Sequence, residues 1–177
     1  PNLDIYKYLF SKQVILVEGP SEELLLRAYL NSRGNLINQV TILSFHKGFA
    51  KAIESWKSIN ENNQNKMAII RDFDNEPNAQ TEHEKLNSKN VKSFTTQSKT
   101  LEKDILNKED NFALLNTLFS SELDWKLFST SEELFLHWEK NKLTGGLLLA
   151  QQISMGLLPD FKLPDHLDAA LNWLGCP

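Results

Sequence analysis

The stretch VILVEGPSEELLL, residues 14–26, constrains the fold more than any other part of the chain. Four aliphatic residues, Val14 to Val17, make a run of the length expected for a buried strand, and the run ends on Glu18. Gly19 and Pro20 follow, then Glu22 and Glu23, before aliphatic residues resume at helical spacing. Gly19 is expected to let the backbone turn tightly, and proline suits a first helical position, so the stretch predicts strand, turn and helix. A dry strand should not end on a carboxylate, which is expensive to bury unless it is paired or binds a metal. The rest of the chain has to supply the partner.

VTILSF (40–45), MAII (67–70) and VKSFTT (91–96) read as three further strands, and PSEELLLRAYLN (20–31) and GFAKAIESWKSI (48–59) as helices. The second helix places Phe49, Ala52, Ile53, Trp56 and Ile59 on one face, and the ENNQNK that follows reads as a polar loop. Strands separated by helices of this length need crossover connections, hence an α/β fold with a mainly parallel sheet flanked by helices. From about residue 100 the pattern becomes helical: LEKDILN, NFALLNTLF, SEELFLHWEK, GLLLAQQISMGLL and LDAALNWL, with Asp110, Ser131 and Pro164–Asp165 as helix starts. The expected layout is an α/β core over residues 1–110 and a helical region over 111–177 that packs on it.

A net charge of −4 argues against a simple nucleic-acid coat, so any such role must rest on local basic patches or bound cations. The one cysteine, Cys176, leaves no disulfide framework and no cysteine metal site, and suggests a reducing, cytoplasmic setting. No apolar run is long enough to cross a bilayer, so no membrane partner is expected. The histidines lack H-E-x-x-H spacing, which argues against zinc.

Ligands of open parallel sheets sit beyond the carboxyl ends of the strands. Glu18 follows the first strand, Asp72 and Asp74 of RDFDN follow the third, and Lys99, Glu102 and Asp104 follow the fourth. Asp72 and Asp74 face the same side of an extended segment while Phe73 faces away. Glu22 falls in the first helical turn, able to point back toward Glu18. These acids are expected to converge and share divalent cations, with Mg²⁺ or Mn²⁺ favoured by the all-oxygen set. Two such ions can activate a water and stabilise a leaving oxygen in phosphodiester cleavage. His46 and Lys47, at the end of the second strand, and Arg71 and Lys99, beside the acids, are candidate contacts to a nucleic-acid backbone.

EGPSE after one strand and DFD after a later one resemble the TOPRIM domain, the catalytic fold of topoisomerases, bacterial primases and certain nucleases. VILVEGPSEELLL, RDFDNEP and KTLEKDIL together look like the overcoming-lysogenization-defect (OLD) branch of ATP-dependent endonucleases. The resemblance covers roughly residues 10–110. It implies a metal-dependent DNA endonuclease whose catalytic residues are Glu18, Glu22, Asp72, Asp74 and Glu102, holding two ions; Asp104, from its place after the fourth strand, is a further candidate metal ligand. It also implies a lysine on a downstream helix; of Lys140 and Lys142, Lys142 is the better candidate. In that branch the TOPRIM domain follows an ABC-type ATPase domain. No G-x-x-x-x-G-K-[ST] loop occurs here, so ATP would act only through such a domain outside this chain, as would any oligomerisation. The initial proline, in place of methionine, agrees with an excised piece.

Two other classes compete. One is a different enzyme on the same scaffold, a ribonuclease or a primase-like or topoisomerase-like nucleotidyl transferase; the only tyrosines are Tyr6, Tyr8 and Tyr29. The other is a non-catalytic receiver-like module, which normally carries its paired acids after the first strand rather than the third. A Ser44–His46 hydrolase lacks the G-x-S-x-G elbow.

Overall fold

The computed structural model describes residues 3–34, 36–45, 49–73, 78, 81 and 84–176. Helix α1 (Leu3–Phe10) leads into strand β1 (Gln13–Val17), followed by α2 (Pro20–Ser32), β2 (Thr41–Ser44), α3 (Phe49–Asn60), β3 (Lys66–Arg71) and β4 (Val91–Thr95). Helices α4 (Leu101–Asn107), α5 (Asn111–Leu123), α6 (Ser131–Lys140), α7 (Lys142–Ser154) and α8 (Asp165–Leu174) complete the chain.

The strands form one all-parallel sheet in the order β2-β1-β3-β4. Period-two alternation divides it into two dry faces. Ile15, Val17, Ile42, Ala68, Ile70 and Phe94 point into a core shared with α2, α4, α5, α6, α7 and α8. Val14, Leu16, Met67, Ile69 and Val91 point the other way, against Tyr8 of α1 and Ile53 and Trp56 of α3. Val14–Val17 and Met67–Ile70 are therefore fully buried, which is why both strands read as unbroken apolar runs. Each such Val, Leu, Ile or Met contributes roughly 1.5–3 kcal/mol by leaving water.

The order of the strands sets the place of the site. From β1 the chain crosses to β2 on one side, then returns to β3 on the other. The switch point, where an open sheet leaves a crevice, lies between the carboxyl ends of β1 and β3. Val17 pairs in register with Ile70, so Glu18 emerges there beside Arg71, one residue before Asp72.

At the opposite edge of the sheet the polar loop 61–66 is tied down by amides. Asn60 is 1% exposed; its Nδ2 donates to the carbonyls of Leu9 and Trp56, and its Oδ1 accepts from the side chains of Asn63 and Asn65. Asn90 adds bonds to the carbonyls of Asn60 and Asn63. Asn60 thus takes the inward place at the end of α3, while Ile59, expected on the buried face, is 45% exposed. Helix α6 starts at Ser131, as expected, and is capped by Thr130, whose hydroxyl accepts from the Glu133 amide. Among the described residues no helix is long and apolar enough to cross a membrane.

Candidate functional site

Helix α2 begins where the sequence places it, with Gly19 as N-cap and Pro20 in the first turn. The reason for the glycine differs from the expected one. Its φ of −130° is ordinary extended backbone. What it supplies is room: the Glu22 side chain folds back so that Oε2 accepts from the Gly19 amide at 3.1 Å, and a Cβ on residue 19 would lie 2.9 Å from that oxygen. Glu22 is thereby held inward and is 4% exposed. Burial, the largest influence, raises its pKa; backbone hydrogen bonds and the Lys142 ammonium pull it down, and the Glu102 carboxylate pushes it up again.

Glu102 stands in the first turn of α4 and is also 4% exposed. Its Oε1 lies 3.0 Å from Nζ of Lys142, the first residue of α7. Burial alone would lower the Lys142 pKa, but Glu102, Glu22 and Asp72 together hold it above the ordinary lysine value. The ammonium therefore stays charged, and it stands within electrostatic reach of three carboxylates delivered by α2, α4 and the end of β3. Helix α7 reaches this position because Gly145 lets it close on α6: a Cβ there would lie 2.5 Å from Nε1 of the buried Trp138.

Asp72 is fixed by the backbone. Its Oδ1 accepts from the Leu101 amide at 3.1 Å, which ties the end of β3 to the start of α4. Glu18 is half-exposed and pairs with Arg71 at 3.2 Å, so these neighbours at the switch point meet each other. Lys99, another candidate phosphate contact, is exposed and lies 3.6 Å from Glu139 of α6. Asp74, His46 and Lys47 lie outside the described residues.

Asp104 is placed apart from this group. Two residues on from Glu102 along a helix means roughly 200° around the axis. Its Oδ2 accepts from the Gln97 amide at 2.8 Å and its Oδ1 from the Ser98 amide at 2.7 Å, while His166 Nδ1 of α8 lies 3.2 Å from Oδ2. Burial raises its pKa, but the contacts with His166, Ser98 and Gln97 outweigh that, and the net shift is downward. Sequence reasoning passed over His166. A lone histidine in an amphipathic helix gives no signal of a partner 62 residues earlier.

Glu22, Asp72 and Glu102 offer the hard oxygen donors that Mg²⁺ or Mn²⁺ prefers. One feature of the site fits a divalent cation: Glu22 is buried with its charge incompletely offset. Among the described residues no group of three or more His, Cys, Asp or Glu side chains is placed to hold a metal ion.

Residues 9–74 match the family model "Overcoming lysogenization defect protein-like, TOPRIM domain". Nearly the whole chain superposes on two solved structures. The C-terminal region of the Burkholderia pseudomallei OLD protein gives a TM-score of 0.60 at 15% identity, covering 94% of this chain and 98% of that one. The C-terminal region of the Xanthomonas campestris pv. campestris OLD protein gives 0.53 at 17% identity, covering 93% and 94%. No curated protein sequence matches.

Proposed function

We propose that this chain, which carries an OLD-like TOPRIM domain and the fold of OLD C-terminal regions, is a metal-dependent DNA endonuclease. The observation that carries the reading is the convergence of Glu22, Asp72 and Glu102 on the Lys142 ammonium at the carboxyl edge of a TOPRIM-like sheet. In this reading Glu18, Glu22, Asp72, Asp74 and Glu102 hold two Mg²⁺ or Mn²⁺ ions. Such ions, when bound, supply a water of lowered pKa and neutralise charge on a leaving oxygen.

The chain's own residues do the rest. Asp72 is held by the Leu101 amide with little freedom to wander. Glu22, folded back on Gly19, is already dehydrated, and a cation would find it without further desolvation cost. In the metal-free chain the carboxylate neighbours of Lys142 hold it protonated, and in this reading it acts as a cation rather than a base. Its Nζ can donate to the negative charge that grows on the 3′ oxygen as the phosphodiester bond breaks. Arg71, Lys99, His46 and Lys47 are the proposed backbone contacts on the strand-end side. DNA is the proposed polymer, and an ABC-type ATPase domain preceding this region is the proposed partner; both matched structures are C-terminal regions of OLD proteins.

The experiment is cleavage of a supercoiled plasmid with Mn²⁺ or Mg²⁺. Asp72→Ala should abolish cutting while circular dichroism stays unchanged. A folded Asp72→Ala chain that cuts at the normal metal-dependent rate overturns the assignment. RNA offered in parallel separates a ribonuclease.

A further inference from the structure

We propose that His166 and Asp104 are positioning residues for the carboxylate site, gripping the loop between β4 and α4 so that Asp72 stays on the Leu101 amide and Glu102 on the Lys142 ammonium. This rests on the metal-nuclease reading above. The loop, residues 96–100, has no regular structure of its own, yet its far end decides the site: the Leu101 amide holds Asp72, and Glu102 is the next residue.

Three sets of contacts fix it. Asp104 reaches back from α4 and accepts from both the Gln97 and Ser98 amides. Thr96 Oγ1 accepts from the Phe73 amide and donates to the Ser98 carbonyl, which ties the loop to the residue after Asp72. Helix α8 then holds α4 at its middle and just past its end. His166 stands on Asp104, and Asp165 pairs at 2.6 Å with Lys108 just past the helix end.

A packing role alone explains His166 poorly. It is 5% exposed, and neither ring nitrogen makes a regular hydrogen bond among the described residues, although Nδ1 lies 3.2 Å from Asp104 Oδ2; a leucine would bury no such polar atoms. What a leucine cannot do is face the Asp104 carboxylate. Residues that orient metal ligands through a shared framework typically change metal affinity tenfold to a hundredfold when lost. Glu102 and Asp104 lie on opposite sides of the short helix α4, so a rotation released by losing one contact swings the other carboxylate out of place.

The test is Mn²⁺ binding to the intact chain by calorimetry, with near-ultraviolet circular dichroism as the check on fold. Asp104→Asn, which sets an amide N–H₂ against a backbone N–H, should weaken Mn²⁺ about tenfold or more. His166→Phe should do the same, whereas His166→Gln, which keeps a donor toward Asp104, should stay near the wild-type affinity. If Asp104→Asn does not fold, the contrast between the two His166 variants decides. Folded variants that lose thermal stability but bind Mn²⁺ as the wild type overturn the inference. A Glu102→Gln control separates the two ideas. If Glu102→Gln loses Mn²⁺ while the Asp104 and His166 variants keep it, only the positioning role falls. If Glu102→Gln also binds normally, the metal reading falls, and this one with it.

Discussion

The two edges of the sheet are built from opposite materials. At the amino edge, Asn60, Asn63, Asn65 and Asn90 form a knot of neutral amides whose described bonds run to one another and to backbone carbonyls. At the carboxyl edge, Glu22 and Glu102 are buried as acids, with one lysine among them. A protein selected only for stability would satisfy both edges alike, since buried charge is costly and buried neutral pairs are not. The contrast marks the amino edge as the part that closes the fold and the carboxyl edge as the part held ready for a ligand.

Substitutions at each edge should therefore separate stability from activity. The largest effect belongs to the amide knot. Asn60→Ala strands the Asn63 and Asn65 donors and should lower unfolding free energy by about 2–3 kcal/mol, read from the urea midpoint. Folded Asn60→Ala should bind Mn²⁺ normally; a loss of binding would break the division of labour. Next comes Gly19→Ala, where the backbone is compatible but the new Cβ displaces the Glu22 carboxylate. Stability should hold or rise slightly, while cleavage falls by about tenfold, or about 1.4 kcal/mol in the barrier.

Smaller still is the change expected from Glu22→Gln. Burial raises the Glu22 pKa, so its ionised form opposes folding above the folded pKa, and the penalty vanishes below the unfolded value of 4.5. Without metal, Glu22→Gln should raise stability near neutral pH and leave it unchanged in acid, while losing cleavage. Asp104 has the opposite sign: its contribution is present above its unfolded value of 3.8 and fades as pH drops through the lower folded pKa. The smallest effect is Lys99→Ala, since its exposed pair with Glu139 is worth less than about 0.5 kcal/mol. On DNA the same variant should flatten the salt dependence by about one ion.

How much of this was legible beforehand depends on the kind of signal. Buried parallel strands leave apolar runs, so all four were readable from residues 14–17, 40–45, 67–70 and 91–96; a mainly parallel sheet was expected from the intervening helices, and the sheet is parallel throughout. Helix α1 was not foreseen, because NLDIYKYLF is too short for its periodicity to stand out. Ile59 and Asn60 exchanged expected roles: hydropathy ranks isoleucine inward, but a capped chain end needs hydrogen-bond donors more than it needs another methyl group. The acids Glu22, Asp72 and Glu102 were readable from their places after strands. Which way each faces was not, because orientation depends on single contacts, such as the Leu101 amide on Asp72 or the Ser98 amide on Asp104. The His166–Asp104 contact joins elements far apart in the chain, and only the folded packing of α8 against β3 and β4 reveals it.

Gly145 carries a mechanical consequence. It sits less than one helical turn beyond Lys142 on the same rod, pressed against the Trp138 indole with no clearance for a methyl group. The indole works as a fixed stop and the glycine as the notch that seats against it. The reach of the ammonium into the acid pocket is therefore gauged by a contact between two uncharged groups, neither of which belongs to the chemistry.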